Sequence, residues 1–163
     1  MGAQAAVEYA PASLKEEAPK EEISGNGQYV TFVCGSKAYG IDIMLVREIR
    51  SWSPTTELPE QPQGGRGVLD IRGEIVQVYD LNAMLGGGFT EVTDGHVVLV
   101  LSIGGQNVGI LVDAVSDIIH VGKDDMRPAP ASQRQQSGGV VSGLARHEDT
   151  IVAILDLSAA FAI

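Results

Sequence analysis

Residue types that perform catalysis occur in this chain, but not in the patterns that build an active site. His96, His120 and His147 lie far apart and lack the short spacing of metal ligands. The single cysteine, Cys34, alternates with apolar residues in a predicted strand, which favours core packing over nucleophilic chemistry. The glycine-rich stretches lack the Gly-Lys-Ser/Thr sequence of a phosphate-binding loop. These patterns predict a protein without enzymatic activity, metal or cofactor.

Two groups of acidic residues have simpler explanations than catalysis or metal binding. Asp80 and Asp156 each precede a leucine where a short helix is predicted to begin, so we interpret them as N-caps rather than as paired catalytic acids. The run Lys123-Asp124-Asp125 is interpreted as a solvated turn between strands.

The most regular pattern lies between Gly67 and Leu81. Apolar residues alternate with polar ones on both sides of Arg72-Gly73, and a central glycine can adopt the positive φ of a tight turn. This predicts a β-hairpin with Arg72 at its tip and Glu74 beside it. An arginine on a rigid turn is suited to recognition of a partner, although a solvated turn residue without a function gives the same pattern.

The composition favours a β-rich globular chain. The 163 residues, 44% of them hydrophobic and 20% charged, suffice for one ordinary domain or two very small ones that share a core. Twenty glycines and only 5% aromatic residues favour strands joined by tight turns. The net charge of −10 argues against nucleic acid as a partner. The lone cysteine fits a reducing cytoplasm.

The chain divides into a tail and a folded region. Residues 1–26 contain prolines and five glutamates with little apolar periodicity, which predicts a disordered acidic tail. Residues 27–163 are predicted to form the folded domain. The longest apolar run, 97–115, is interrupted by Gly104-Gly105-Gln106-Asn107 and contains Asp113, so it predicts two strands rather than a membrane helix. We therefore expect no direct membrane insertion.

The second half of this region repeats the first. An offset of 69 residues aligns Gly40 with Gly109, and an offset of 76 aligns Gly67 with Gly143. The additional seven residues fall within 132–139, which is predicted to be a polar loop. The pattern indicates an internal duplication.

Each copy contains about five predicted strands. The first copy spans about 28–85 and the second about 95–161, and we expect short helices after Asp80 and Asp156. Because a barrel of about 60 residues has a marginal core, two such barrels should pack together and share apolar surface.

Four segments, in this order, carry a recognisable set of motifs. They are YGIDIMLVREIR at 39–50, IRGEIVQVYDL at 71–81, VGILVDAVSDI at 108–118 and RPAP at 127–130. Together they resemble the family of bacterial chemotaxis coupling proteins called CheW, over about residues 28–161. The resemblance implies an all-β fold of two intertwined five-stranded SH3-like barrels and no enzymatic activity. It also implies a cytoplasmic scaffold that links the cytoplasmic tips of methyl-accepting chemoreceptors to the regulatory domain of the histidine kinase CheA. Such a protein is recruited to the inner face of the membrane through the receptors.

The resemblance also implies which positions contact the receptor and the kinase. They are Val46, Glu48, Gly67, Arg72, Val115 and Ile118. The apolar members of this set would form small exposed patches, unless they belong to the barrel core, and Arg72 with Glu48 would form an ion pair at the rim. The sequence does not divide these positions between the two partners.

The chain departs from the usual motifs of this family at three places that bear on partner preference rather than on the fold. Asp70-Ile71 stands where Asn-Leu is usual, Gln77 where proline is usual, and Asn82 where arginine is usual. Two other functions remain open. One is an adaptor of a non-flagellar chemosensory-like pathway, and the other is a small barrel that binds a ligand or nucleic acid, which the acidic charge and single tryptophan disfavour.

Overall fold

The computed structural model describes residues 27–161, in which short strands are joined largely by tight turns. The strands are β1 (Gln28–Cys34), β2 (Lys37–Asp42), β3 (Val46–Ser51), β4 (Gly65–Ile71), β5 (Glu74–Asp80), β6 (Val97–Ile103), β7 (Gln106–Val112), β8 (Ala114–His120), β9 (Met126–Pro128), β10 (Val141–His147) and β11 (Thr150–Leu155). The helices are α1 (Leu81–Met84), α2 (Ala131–Gln136) and α3 (Leu157–Phe161), with 3-10 turns at Ile43–Leu45 and Lys123–Asp125. The predicted tail, residues 1–26, lies outside the described residues.

The strands form two sheets, and each sheet combines strands from both copies of the duplication. The first has the order β9-β10-β11-β2-β1-β8, and the second has the order β3-β6-β7-β5-β4. The first two strands of each copy have therefore joined the later strands of the other copy. Two equivalent parallel pairings, β11 with β2 and β5 with β7, make this connection, while the other neighbours are antiparallel. This arrangement confirms the predicted intertwined fold.

Each sheet closes into a barrel through the segment that follows its edge strand. After β3, the chain crosses to β4, where the Thr56 N–H donates to the Val68 carbonyl at 2.9 Å and the Val68 N–H donates back at 2.8 Å. After β8, strand β9 pairs in the same way with β10. This one bridge is the only pairing that the described segment between β3 and β4 makes with β4. Prolines at 54 and 59 flank it and limit its length, because proline has no backbone donor.

The four central strands, β1, β2, β6 and β7, bury both faces at least in part. Along β6, Val98 and Val100 point into the second barrel, while Leu99 and Leu101 point into a core that lies between the sheets. The shared core also takes Phe32 from β1. Burial on both sides explains why these strands are nearly continuous apolar runs.

The inserted segment 132–139 is not the polar loop that the sequence predicted. It contains helix α2, which follows Pro130 at φ −57°. Residues of good helix propensity fill the helix. Gly138 and Gly139 then end it with positive φ, and the Gly139 N–H donates to the Arg134 carbonyl at 2.7 Å. No helix among the described residues is long and apolar enough to cross a membrane.

Cys34 provides a direct test of the shared core. Its side chain is buried, and burial, with smaller contributions from Asp113 and Asp80, raises the pKa of the thiol to about 12. We expect native protein at pH 8 to resist a thiol reagent such as iodoacetamide and to react fully once unfolded in guanidinium, as followed by mass spectrometry. A chain with the exposed residue Ser132 changed to cysteine is the control and should take up one label in the native state. Rapid labelling of Cys34 itself in native protein would contradict this packing.

Candidate protein-interaction surfaces

The predicted hairpin is present, and its tip is a two-residue turn. Strands β4 and β5 pair up to Ile71 and Glu74, which leaves Arg72-Gly73 between them. Both turn residues have positive φ, 53° and 89°, as a type I′ turn requires. The Asp70 carboxylate accepts the Gly73 N–H at 2.8 Å and fixes the turn.

Arg72 occupies a conformation that its residue type disfavours. The left-handed region brings Cβ close to the backbone, so glycine or asparagine adopts it at lower cost than arginine. The side chain is 75% exposed and therefore does not stabilise the core. Glu148, at the equivalent turn of the second copy, has a similar φ of 56°, so the two-residue turn imposes this conformation on the residue that occupies it.

The guanidinium of Arg72 is held by Glu48 of β3. Arg72 Nη2 lies 2.7 Å from Glu48 Oε1, and Arg50 Nη1 lies 3.1 Å from the other carboxylate oxygen. The hydrogen bond from Arg72 is the main cause that lowers the pKa of Glu48, and the same bond raises the pKa of Arg72. A β-bulge between Val46 and Glu48 changes the direction of the strand at this point. The predicted pair thus exists, as part of a three-residue network.

Arg50 was not among the residues predicted from the sequence. It lies two positions after Glu48, so both side chains project from the same face of β3. The two-residue spacing of Glu48 and Arg50 in a predicted strand was the sequence feature that could have indicated Arg50. We call Val46, Glu48, Arg50 and Arg72 the tip surface.

The three apolar candidates differ in exposure. Val46 and Val115 are half-buried and pack against the shared core. Ile118 is 54% exposed, as is its equivalent in the first copy, Ile49, at 49%. Of the three candidates, Ile118 is therefore the one with an exposed side chain. We call Val115 and Ile118 the β8 surface.

Gly67 lies in neither surface, because its backbone is buried. Its φ is +117°, and a Cβ at this position would stand 2.5 Å from the carbonyl oxygen of Thr56. That carbonyl belongs to the bridge that closes the second barrel. Gly67 thus permits barrel closure beneath the hairpin.

A buried polar network at the base of the hairpin was only partly predicted. As expected, Asp80 caps α1, since its carboxylate accepts the Ala83 N–H at 3.3 Å. The fully buried carboxylate also accepts a hydrogen bond from Arg66 Nη1 at 2.8 Å. It accepts two more from Thr90, from the backbone N–H at 2.7 Å and from the hydroxyl at 2.9 Å. Four donors therefore compensate the burial of Asp80.

Arg66 is itself enclosed by aromatic residues. Its guanidinium carbon lies 5.6 Å from the ring centre of Trp52 and 5.7 Å from that of Phe89. These contacts are within the range of cation–π interactions. The network joins β4, β5 and the segment 86–96, and it fixes the hairpin that carries Arg72.

The described residues contain no cluster of three or more histidine, cysteine or acidic side chains that could hold a metal ion. They do contain a groove of about 680 Å³ in the first barrel, near the turn between β6 and β7. Its walls include apolar residues of β1, β9 and β11. The six predicted contact positions do not line it.

Comparison with known proteins gives a consistent result. A family model for a CheW-like domain matches residues 28–162. The chain is 33% identical over 144 residues to the chemotaxis protein CheW of Rhizobium meliloti. The aligned region covers 88% of this chain and 93% of the relative. It is 32% identical over 130 residues to the chemotaxis protein CheW of Klebsiella aerogenes, covering 80% and 78% respectively.

The fold agrees with that of a solved relative. The scaffolding protein TtCheW of Thermoanaerobacter tengcongensis superposes with a TM-score of 0.75 at 28% identity, over 82% of this chain and 90% of the other. Both the sequence match and the fold extend over nearly all of the described residues. The chain therefore belongs to the CheW family of non-catalytic chemotaxis coupling proteins.

Proposed function

We propose that this protein joins the cytoplasmic tips of methyl-accepting chemoreceptors to the regulatory domain of the histidine kinase CheA. A receptor helix packs on apolar surface between or beside the barrels, and the kinase domain, which has the same fold, docks barrel to barrel. Residues 27–163 form the coupling domain and residues 1–26 its tail. The protein works in the cytoplasm and reaches the inner face of the membrane through the receptors.

The arginine at the hairpin tip is the observation that carries this proposal. Arg72 keeps a strained backbone conformation and an exposed side chain, while Glu48 and Arg50 determine where its charge is presented. A charge fixed in this way can set the orientation of a partner, because the side chain loses little further freedom on binding.

The β8 surface supplies the apolar contact that the tip surface lacks. Ile118 stands on a rigid strand whose other face is packed against the barrel interior through Ile119. An exposed branched side chain on a rigid strand is suited to anchor a partner. Two interfaces of roughly 1,000–1,600 Å² each would be reversible singly and firm when combined in an array.

Reversal of the charge of Arg72 tests the role of the tip surface. We expect Arg72→Glu to remove the pair with Glu48 and to lower receptor-controlled autophosphorylation of the kinase about ten-fold or more. The measurement is co-sedimentation with receptor-containing membranes and the kinase, with phosphorylation read in the same tubes. Arg146→Glu makes the same charge change at an exposed position of β10 and should leave coupling intact. Normal coupling by folded Arg72→Glu protein would refute the role of the tip surface.

Two substitutions in the β8 surface should separate binding from folding. Ile118→Asp should keep the native melting temperature but lose the complex, because the side chain is exposed. Val115→Asp should cost about 1–3 kcal/mol of unfolding free energy, because it places a carboxylate against the shared core. Ile151→Asp, at a position that is 58% exposed, is the control for adding an acid at an exposed isoleucine. Equal binding by the Ile118 and Ile151 variants would exclude Ile118 from the interface.

The ion pair itself can be followed by its titration. The pKa of Glu48 is lower in the folded chain than its ordinary value of 4.5. The pair therefore stabilises the fold above pH 4.5, and this contribution is lost as the pH falls through the folded pKa. We expect the carboxyl ¹³C signal of Glu48 to titrate below pH 4.5 and its midpoint to rise in Arg72→Asn protein. An unchanged midpoint in the variant would mean that Arg72 does not hold Glu48 in solution.

A further inference from the structure

A phenylalanine is exposed at the end of the second barrel that lies opposite the hairpin tip. Phe89 is 59% exposed and belongs to the segment 86–96, which precedes β6. Its ring lies over Arg66 near the start of β4, whereas Arg72 follows the end of that strand. About 20 Å of strand therefore separate Arg66 from the tip surface. Neither the tip surface nor the β8 surface includes Phe89.

The segment that carries Phe89 is fixed on both sides of this residue. Before it, the side-chain amide of Asn82 donates to the carbonyls of two successive glycines, at 3.1 and 3.0 Å. After it, Thr90 donates its N–H and its hydroxyl to Asp80. Asn82 is also one of the positions at which the chain departs from the usual motifs of the family. Phe89 is thus presented by an ordered segment rather than by a free loop.

Arg66 supports the ring of Phe89 from within the protein. Its guanidinium carbon lies 5.7 Å from the ring centre of Phe89 and 5.6 Å from that of Trp52. The ion pair with Asp80 holds this guanidinium in place. An aromatic side chain that is already fixed, and still largely exposed, can anchor an apolar side chain of a partner at a small further cost in entropy.

Acidic side chains accompany Phe89 along its segment. Burial alternates from Phe89 onward, so Glu91 is exposed beside it, whereas Thr90 and Val92 are half-buried. Asp94 is exposed as well. Neither acid forms an ion pair with another residue that the structure describes.

The segment 52–64, between β3 and β4, adds charge of the same sign. It reaches Arg66 through the Thr55 hydroxyl, which donates to the Arg66 carbonyl at 2.6 Å. It then carries Glu57 and Glu60, which are exposed and form no ion pair within the described part of the chain. The two segments thus meet at Arg66 and bring four acids to this end of the barrel.

No cation on either segment balances these four acids, since both segments lack lysine and arginine. Arg66 lies between the segments, but its charge is matched by Asp80 at 2.8 Å. Arg50, which precedes the first segment, binds Glu48 of the tip surface at 3.1 Å. This end of the barrel therefore combines a fixed aromatic side chain with net negative charge, and that combination is complementary to a basic partner with apolar side chains.

We propose that Phe89, Glu91 and Asp94 form a third interaction surface, which binds a basic segment of a partner protein. A leucine or similar side chain of that segment packs on the exposed part of Phe89, and its lysines or arginines pair with Glu91 and Asp94. Glu57 and Glu60 add attraction at longer range. The negative charge disfavours nucleic acid and anionic membranes as ligands of this surface. Because the surface lies apart from the tip surface, a partner bound here does not displace one bound there.

A peptide of this chemistry tests the proposal on the full-length chain. The probe is Lys-Leu-Leu-Lys-Leu-Leu-Lys with blocked ends, and its control is the same peptide with glutamate in place of each lysine. In an NMR titration, the lysine peptide should shift the amide signals of Phe89, Glu91 and Asp94 more than those of Arg72 and Ile118. The glutamate peptide should shift none of them. Absence of shifts at 89–94, or shifts centred on the tip or the β8 surface, would overturn the proposal.

A matched pair of variants tests the aromatic anchor. Phe89→Ala should weaken binding of the lysine peptide about ten-fold, because the apolar contact is lost. Ile75→Ala removes a side chain that is 62% exposed on β5 and should leave binding unchanged. Equal affinity of the two variants would exclude Phe89 as the anchor and refute the proposal.

A second pair tests the charges at exposed positions, where the fold is not at risk. Glu91→Lys with Asp94→Lys should also weaken binding about ten-fold. Glu148→Lys with Asp149→Lys makes the same change of net charge at the exposed hairpin tip of the second copy and should leave binding intact. Equal losses in the two double variants would show that the peptide responds to the net charge of the chain rather than to this surface, and would also refute the proposal.

Discussion

The exchange of strands between the two copies is the constraint on which the rest of this structure depends. Because β1 and β2 pair with β8 and β11, and β6 and β7 pair with β3 and β5, neither barrel can form from one copy alone. The exchange leaves each central strand between two apolar regions, the interior of its own barrel and the core that lies between the sheets. Burial of both faces compensates for the small size of each barrel, which on its own would bury too little surface to be stable. The outer hairpins can then carry strained or exposed residues without loss of the fold.

The hairpin that presents Arg72 uses this freedom. Its base is fixed by the buried pair of Arg66 and Asp80, and its turn is fixed by Asp70. Loss of one partner from such a buried pair typically costs about 3–5 kcal/mol, because the remaining charge is left without compensation. The tip can therefore tolerate a residue with a poor turn conformation, and an arginine there is positioned rather than loosely attached.

Local patterns predicted much of this fold, and long-range contacts account for what they missed. The hairpin, the two caps and the duplication follow from spacing within short segments, since turn glycines and strand alternation act locally. Thr90 and Arg66, which donate hydrogen bonds to Asp80, are 10 and 14 positions away, and no local pattern indicates them. Helix α2 was missed because its polar residues resemble those of a loop. The contact positions came from the family resemblance, and their assignment to receptor or kinase stays a prediction.

The two copies differ at the places where function is proposed. Both keep a β-bulge early in β3 and β8, and both keep a glycine at 67 and 143, because barrel closure needs them. The hairpin tips have diverged to Arg72-Gly73 and Glu148-Asp149, and the position of Arg66 has become Ser142. Equivalent positions of the two copies keep the same residue where both barrels require the same packing, and they are free to differ elsewhere. The charged tip and the Arg66 network that supports Phe89 are therefore features of one copy, and a partner that recognises either of them binds the protein in a single orientation.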